Sequence, residues 1–210
     1  MQQETRRRSP NDLALGAPTD PEAFAAWVAN GNPRQRDGLK FELSCGRITV
    51  MQAGVSRWHN RVCLNIVREL VRQLDADRFD LHSGEFAVKT DAGIRYPDIM
   101  VERIPSGSAL PNDYAATQAI FLTEVLSPSS VGRDFTEKLV EYTSIEHLRM
   151  YLICSQEEPR GWVWEKKDGS WPPLPLEIDD RSAKIPIAEL GIELDMAAIY
   201  RGIPDPPSHP

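Results

Sequence analysis

Apolar and polar positions along this chain recur with two periods, which predict helices and strands in mixed order. Residues 19–22 are typical of a helix start, because a proline lies in the first turn and acidic side chains lie at the positive end of the helix dipole. Alternation over 39–43 and 47–52 predicts a hairpin. A helical period predicts a long helix over 56–74.

The rest of the chain continues the mixed pattern. Alternating and apolar runs predict strands over 80–89, 95–102, 119–126, 148–154 and 161–166. A helix is predicted over 133–146, and the proline- and glycine-containing segment 103–117 is predicted to be a loop over the candidate site. The fold class that follows is α/β, with a central pair of strands that carry acidic residues at one end.

Two acidic residues interrupt otherwise apolar, strand-like runs. Asp98 begins the run Asp98-Ile99-Met100-Val101, and Glu124 lies within Phe121-Leu122-Thr123-Glu124-Val125-Leu126. Because an unpaired buried charge is costly, each carboxylate requires a compensating group, and a cation is the simplest candidate. The two acids therefore predict a site for Mg²⁺, which prefers oxygen ligands.

Lys138 is the nearest basic residue that can return to the face of Glu124, from the helix that follows. Strand alternation places Leu126 on that face, where a lysine two residues after the glutamate would otherwise lie. An aspartate, a glutamate and a lysine at one sheet edge suit metal-dependent phosphodiester cleavage, with the lysine positioning the attacking water or neutralising developing charge.

These residues resemble the PD-(D/E)XK nuclease signature with its lysine displaced onto a helix. The order of the surrounding motifs is similar to the Uma-type family of putative restriction endonucleases over residues 20–190. The motifs that carry this resemblance are Phe41-Glu42-Leu43, Gly46-Arg47, His59, Pro97-Asp98-Ile99-Met100-Val101, the segment Glu124-Val125-Leu126-Ser127-Pro128-Ser129-Ser130, Asp134, Lys138 and Tyr142.

The resemblance implies a restriction-endonuclease-like PD-(D/E)XK core, in which helices flank a mixed central β-sheet. It implies a DNA endonuclease that uses Mg²⁺, with Mn²⁺ as a substitute, on double-stranded DNA. We expect Asp98 and Glu124 to ligate the metal, the Val125 backbone carbonyl to be a further ligand, and Lys138 to position the water. The alternatives are a catalytically inactive nuclease-fold module for nucleic-acid binding or interaction, and hydrolysis of another phosphodiester such as RNA.

Four further residues are candidates for the same site. The resemblance makes Glu42 an additional acid there, and the alternative is a strand residue that faces solvent. Glu85 precedes Asp98 by one predicted strand and is a candidate to approach the metal. His59 either caps or packs its helix or carries protons near the cleft, and Asp134 either orients Lys138 or begins its helix.

Length and composition favour a single domain. A chain of 210 residues with 41% hydrophobic content fills one core, which we assign to residues 19–200. Residues 1–18 and the proline-rich tail 201–210 are expected to be disordered. No apolar run has signal-peptide or membrane-span length, so we expect a cytoplasmic protein with no membrane association. Three widely spaced cysteines suggest neither disulfides nor a zinc knuckle.

The net charge of −7 argues against general adherence to DNA, although it leaves room for a local basic face. One such face lies along the predicted long helix, where four arginines fall within about 60° of one another at roughly 100° per residue. The stripe is either a solvated helix edge or a contact for phosphates or a second subunit, and comprises Arg57, Arg61, Arg68 and Arg72. A homodimer is a further expectation, since two DNA strands require two sites.

Overall fold

A computed structural model of the chain describes residues 16–30, 40–51, 54–105, 114–127 and 131–204. It contains five helices within these residues: α1 Pro21–Ala29, α2 Arg57–Gln73, α3 Val131–Phe135, α4 Glu137–Thr143 and α5 Met196–Ile199. The strands are β1 Lys40–Ser44, β2 Arg47–Met51, β3 Phe79–Ser83, β4 Ala87–Thr90, β5 Gly93–Arg95, β6 Ile99–Arg103, β7 Ala115–Ala116, β8 Ala119–Leu126, β9 Met150–Ser155, β10 Gly161–Glu165, β11 Leu176–Ile178, β12 Lys184–Ile187 and β13 Ile192–Asp195.

The strands form two main sheets and a small hairpin. The larger sheet has the order β11-β10-β9-β8-β6-β3, and its β8 and β9 run parallel while its other pairs are antiparallel. The smaller sheet has the order β2-β1-β5-β4-β7, and β12 pairs with β13. A mixed sheet flanked by helices confirms the predicted α/β class.

Both faces of the larger sheet are covered by apolar side chains. Helix α2 packs Val62, Ile66 and Leu70 against one face, together with the segment around α5. Tyr142 of α4 packs on the opposite face, where Leu122 of β8 is fully buried. Burial on both faces explains why β8 reads as a continuous apolar run into which a carboxylate is inserted.

The smaller sheet has its own apolar layer beneath α1. Phe24 of α1 packs with Phe41 and Leu43 of β1 and with Ile94 of β5. Asp20 caps α1, because its carboxylate accepts a hydrogen bond of 2.9 Å from the Ala23 N–H. The predicted start of this helix is therefore present, and α1 covers one face of the smaller sheet.

Two predicted strands are each divided between the two sheets. The run predicted over 80–89 forms β3 in the larger sheet and β4 in the smaller one, and the left-handed backbone of Gly84, with φ of 60°, lies between them. The run predicted over 95–102 is divided between β5 and β6, because Pro97 lacks the N–H that a continuous ladder needs. The chain thus passes between the sheets immediately before Asp98.

The helix predicted over 133–146 is also divided. Helices α3 and α4 meet at Thr136, whose hydroxyl donates a 2.6 Å hydrogen bond to the Gly132 carbonyl. Such local side-chain bonds compete with the helix ladder. The break lies between Asp134 and Lys138, the two polar residues predicted to share this segment.

Several predictions concern parts of the chain outside the described residues. Residues 1–15 of the predicted disordered start, residues 205–210 of the predicted tail and residues 106–113 of the predicted loop belong to this group. Within the described part, no helix is long and apolar enough to cross a membrane.

Candidate active site

Asp98 and Glu124 lie side by side where two antiparallel strands begin to separate. The ladder pairs Ile99 of β6 with Thr123 of β8, so the next position along each strand places Asp98 opposite Glu124. Asp98 Oδ2 accepts a 2.7 Å hydrogen bond from the Val125 N–H. Because the N–H and C=O of one strand residue point to the same side, the Val125 carbonyl also faces this fork.

Glu124 is almost fully buried and has two hydrogen-bond donors on one oxygen. Lys138 Nζ and the Tyr142 hydroxyl each lie 2.8 Å from Glu124 Oε1, and the residue is only 4% exposed. Lys138 and Tyr142 are four residues apart on α4, so their side chains project from the same face of the helix. The helix therefore fixes one carboxylate oxygen with two donors.

Burial controls the protonation of this pair. Desolvation raises the pKa of Glu124 to about 8, Asp98 and Asp134 add to the rise, and Lys138 opposes it. Burial works against the charge on Lys138, but the surrounding carboxylates Glu124, Glu42 and Asp134 raise its pKa overall. In the metal-free site the lysine thus stays charged, and Glu124 loses its proton at a higher pH than an ordinary glutamate.

Asp134 is the second contact of the lysine. Its Oδ1 lies 3.3 Å from Lys138 Nζ, and the residue is 1% exposed. The pair spans the break between α3 and α4, so the ion pair holds the two short helices together. The position is consistent with the predicted role of Asp134 in orienting Lys138.

His59 contacts Asp98 from the opposite wall. His59 lies in the first turn of α2, where its backbone N–H donates a 3.0 Å hydrogen bond to the hydroxyl of Ser56, the N-cap. Ser56 therefore caps the helix, and the buried His59 ring instead places Nε2 3.2 Å from Asp98 Oδ2. Cys63, one turn later, has its sulfur 3.6 Å from His59 Nδ1.

Glu42 does not face solvent, which was the alternative in the sequence prediction. It is 1% exposed, lines the same cleft and accepts a 3.1 Å hydrogen bond from Arg95. Arg95 is fully buried and binds Glu141 of α4 through two nitrogens, at 2.9 and 2.6 Å. The guanidinium therefore connects the smaller sheet to the helix that carries Lys138.

A cleft of about 500 Å³ connects these groups. Asp98, Glu124, Lys138, Glu42 and His59 all line it. The structure therefore brings five of the seven predicted catalytic and additional residues to one cavity, and Asp134 lies directly behind the lysine.

Glu85 lies outside this cleft. Its side chain is 85% exposed and pairs with Lys40 at 2.6 Å, beside a neighbouring groove that Asp98 also lines. The four predicted nucleic-acid-binding arginines are exposed on α2, and none of them is among the described residues that line the cleft: Arg57, Arg61, Arg68 and Arg72. Their role in binding stays a prediction.

Two contributors to the site were missed from the sequence. Tyr142 belonged to the family motif without a role, although its spacing of four residues from Lys138 places both on one helix face. Arg95 was not among the predicted site residues, although an arginine between apolar strand residues requires a buried acidic partner. Its partner Glu141 comes from a distant helix, which local sequence does not reveal.

Comparisons with known proteins identify a family for this chain, two relatives and a shared fold. The family described as "Uma2: Putative restriction endonuclease" matches residues 21–197. The uncharacterized protein slr1290 of Synechocystis sp. is 26% identical over 190 residues, which cover 87% of this chain and 92% of the relative. A second uncharacterized Synechocystis protein, sll1609, is 28% identical over 106 residues, which cover 50% of this chain and 60% of that protein.

A solved structure shares the fold. The crystal structure of a putative nuclease of the DUF820 group from Anabaena variabilis superposes with a TM-score of 0.59 and 17% sequence identity. The match covers 76% of this chain and 89% of that one. At this identity the likeness establishes the architecture, and the chemistry must be argued from the side chains.

Proposed function

The chain belongs to the Uma2 family of putative restriction endonucleases, and from this premise we propose that it is a Mg²⁺-dependent DNA endonuclease. The observation that carries the proposal is that Asp98 lies opposite Glu124 where β6 and β8 separate, and that Lys138 donates a hydrogen bond to the buried carboxylate of Glu124. The proposed reaction is hydrolysis of phosphodiester bonds. Mn²⁺ is the expected substitute for Mg²⁺.

The free carboxylate oxygens suit a hard divalent cation. Glu124 Oε1 and Asp98 Oδ2 are each held by two partners, whereas the second oxygen of each carboxylate accepts no hydrogen bond from the described residues. The Val125 carbonyl faces the same fork. Oxygen donors of this kind match the ligand preference of Mg²⁺ and Mn²⁺.

The residues around Glu124 have separate roles in the proposed reaction. Tyr142 and Lys138 hold Glu124 in one orientation, and Asp134 holds Lys138. The ammonium group of Lys138 lines the cleft, where it is placed to position a water or to neutralise charge that develops on a phosphate. A bound Mg²⁺ would supply Lewis acidity, which lowers the pKa of a water and stabilises charge on the phosphate.

The cleft also contains a cation that is suited to a phosphate. Arg133 lines it and is 35% exposed, with Glu42 3.7 Å away as a loose partner. A basic side chain at an open cleft provides local affinity for a polyanion within a protein of net charge −7. We propose double-stranded DNA as the substrate and a homodimer as the form that cleaves both strands.

The test is cleavage of supercoiled plasmid in Mg²⁺ and in Mn²⁺. Asp98→Asn, Glu124→Gln and Lys138→Met keep approximate side-chain shape, so folded variants that lose activity report on the chemistry. The matched control is Glu102→Gln, because Glu102 is also a buried carboxylate of the larger sheet but does not line the cleft. Cleavage by wild type and control, and its loss in the three variants and in excess EDTA, is the expected result.

Other outcomes would revise specific parts of the proposal. Cleavage that persists in EDTA would exclude the metal mechanism, and cleavage that persists in Lys138→Met alone would remove the lysine from it. Binding of DNA without cleavage by the wild type would favour an inactive nucleic-acid-binding module. Parallel assays with RNA decide the substrate class, and sedimentation of the purified protein decides whether it dimerises.

A further inference from the structure

A second set of donor atoms adjoins the proposed magnesium site. His59 and Cys63 lie one turn apart on α2 and both face Asp98. One ring nitrogen of His59, the sulfur of Cys63 and a carboxylate oxygen of Asp98 all lie within 4.8 Å of one another. Tetrahedral coordination at bond lengths of about 2.0 to 2.3 Å requires separations of roughly 3.3 to 3.6 Å between ligand atoms.

We propose that His59, Cys63 and Asp98 form a binding site for a zinc-class transition-metal ion, distinct from the magnesium site but sharing Asp98 with it. The 3.2 Å between His59 Nε2 and Asp98 Oδ2 is close to the lower limit of the required ligand spacing. The sulfur lies 3.6 Å from the other ring nitrogen, so the imidazole or the Cys63 side chain must rotate to bring all three donors to one ion.

The chemistry of these donors selects the ion. Imidazole and thiolate ligands favour Zn²⁺ and Co²⁺, whereas Mg²⁺ prefers oxygen. Burial and the nearby Asp98 carboxylate raise the pKa of Cys63, so without metal the thiol keeps its proton. On metal binding the sulfur–hydrogen bond is replaced by a sulfur–metal bond, and the proton leaves to solvent.

The three proposed ligand residues face a groove on one side. Cys63, His59 and Asp98 line a second cavity of about 570 Å³, which adjoins the catalytic cleft and gives an ion a path from solvent. The groove also leaves room for water as a fourth ligand, as in open zinc sites.

A functional consequence rests on the proposed nuclease activity. Both ions would draw on the single negative charge of Asp98 and would repel each other, so an ion of the zinc class weakens the binding of Mg²⁺ at this carboxylate. We therefore expect Zn²⁺ to inhibit Mg²⁺-dependent cleavage through Cys63 and His59.

The direct test uses Co²⁺, which reports thiolate coordination by its ligand-to-metal absorption in the near ultraviolet. Wild type and Cys45→Ser should both show this absorption on Co²⁺ titration, because Cys45 is an exposed thiol on the β1–β2 hairpin. Cys63→Ser should lose it, and Cys63→Ala provides a second variant in case serine disturbs folding. His59→Gln should keep the thiol but bind Co²⁺ at least about tenfold more weakly.

The possible outcomes separate this proposal from the nuclease proposal. Absorption that is absent in folded wild type, or that survives in both Cys63 variants, overturns the zinc-class site whether or not the protein cleaves DNA. If the cobalt spectrum is as expected and the plasmid is cleaved, the Zn²⁺ concentration for half inhibition should rise at least about tenfold in Cys63→Ser. If this Zn²⁺ concentration is the same in Cys63→Ser as in the wild type, inhibition through Cys63 is excluded, but the cobalt spectrum still supports the binding site.

Discussion

Binding of Mn²⁺ should tighten steeply with pH because the buried Glu124 must lose a proton before it can ligate a metal. Burial raises the pKa of this carboxyl to about 8. The ionised fraction is then about 1% at pH 6, about 9% at pH 7 and about 50% at pH 8. The apparent association constant should therefore rise about 50-fold from pH 6 to pH 8 and level off above it.

The assay is isothermal titration of Mn²⁺ into the protein at pH 6, 7 and 8, in buffers that do not bind the metal. Glu124→Gln removes the titrating group and should bind weakly with little dependence on pH. Glu102→Gln is the matched control, since this carboxylate is also buried but lies outside the cleft, and it should keep the full slope.

His59 contacts Asp98, so its contribution to metal binding needs its own variant. His59→Gln removes the ring beside Asp98. In this variant the Mn²⁺ association constant should still rise with pH, because Glu124 must still lose its proton. An association constant that stays constant between pH 6 and 8 in the wild type would refute the reasoning. A slope that disappears in His59→Gln and persists in Glu124→Gln would assign the proton to the histidine instead.

Two further predictions concern the framework of the site. Arg95→Met leaves two buried carboxylates, Glu42 and Glu141, without their cation and should lower the free energy of unfolding by about 3 to 5 kcal/mol in urea titrations. Arg103→Met removes an exposed pair and should cost less than about 1 kcal/mol, and equal losses would contradict this account. Gly93→Ala should cost more than about 3 kcal/mol, because its Cβ would lie 2.0 Å from a backbone oxygen of β1. Gly46→Ala, also at a positive φ (76°, against 154° for Gly93) but with open space around it, should cost about 1 to 2 kcal/mol in the same titrations, and a cost equal to that of Gly93→Ala would argue against the clash.

The sequence supports the fold class because its helices and its central strands carry strong local patterns. The helix over 56–74 and the strand over 119–126 are close to α2 and β8, since both bury continuous apolar faces. The division of 80–89 and 95–102 between two sheets was not predictable in the same way. Gly84 and Pro97 mark points where the two runs can break, but only tertiary pairing decides that the two halves of each run join different sheets.

The candidate site shows the same limit. Asp98 and Glu124 stand out locally because a carboxylate interrupts an apolar run, and Lys138 follows from its position on the next helix. Glu42 was equally consistent with a surface strand, since alternation within β1 does not reveal a partner such as Arg95. Contacts between residues distant in sequence therefore explain the roles that local patterns left open.

The passage of the chain between sheets at Pro97 gives the cleft two walls of separate origin. One wall, with Glu42, belongs to the smaller sheet, and the other, with Glu124 and Lys138, belongs to the larger sheet and α4. Sequence change in the first wall can therefore reshape the cleft while the lysine–glutamate pair stays intact. Substitutions in one wall can be combined with an unchanged second wall, provided that Arg95 keeps its contacts with Glu42 and with Glu141.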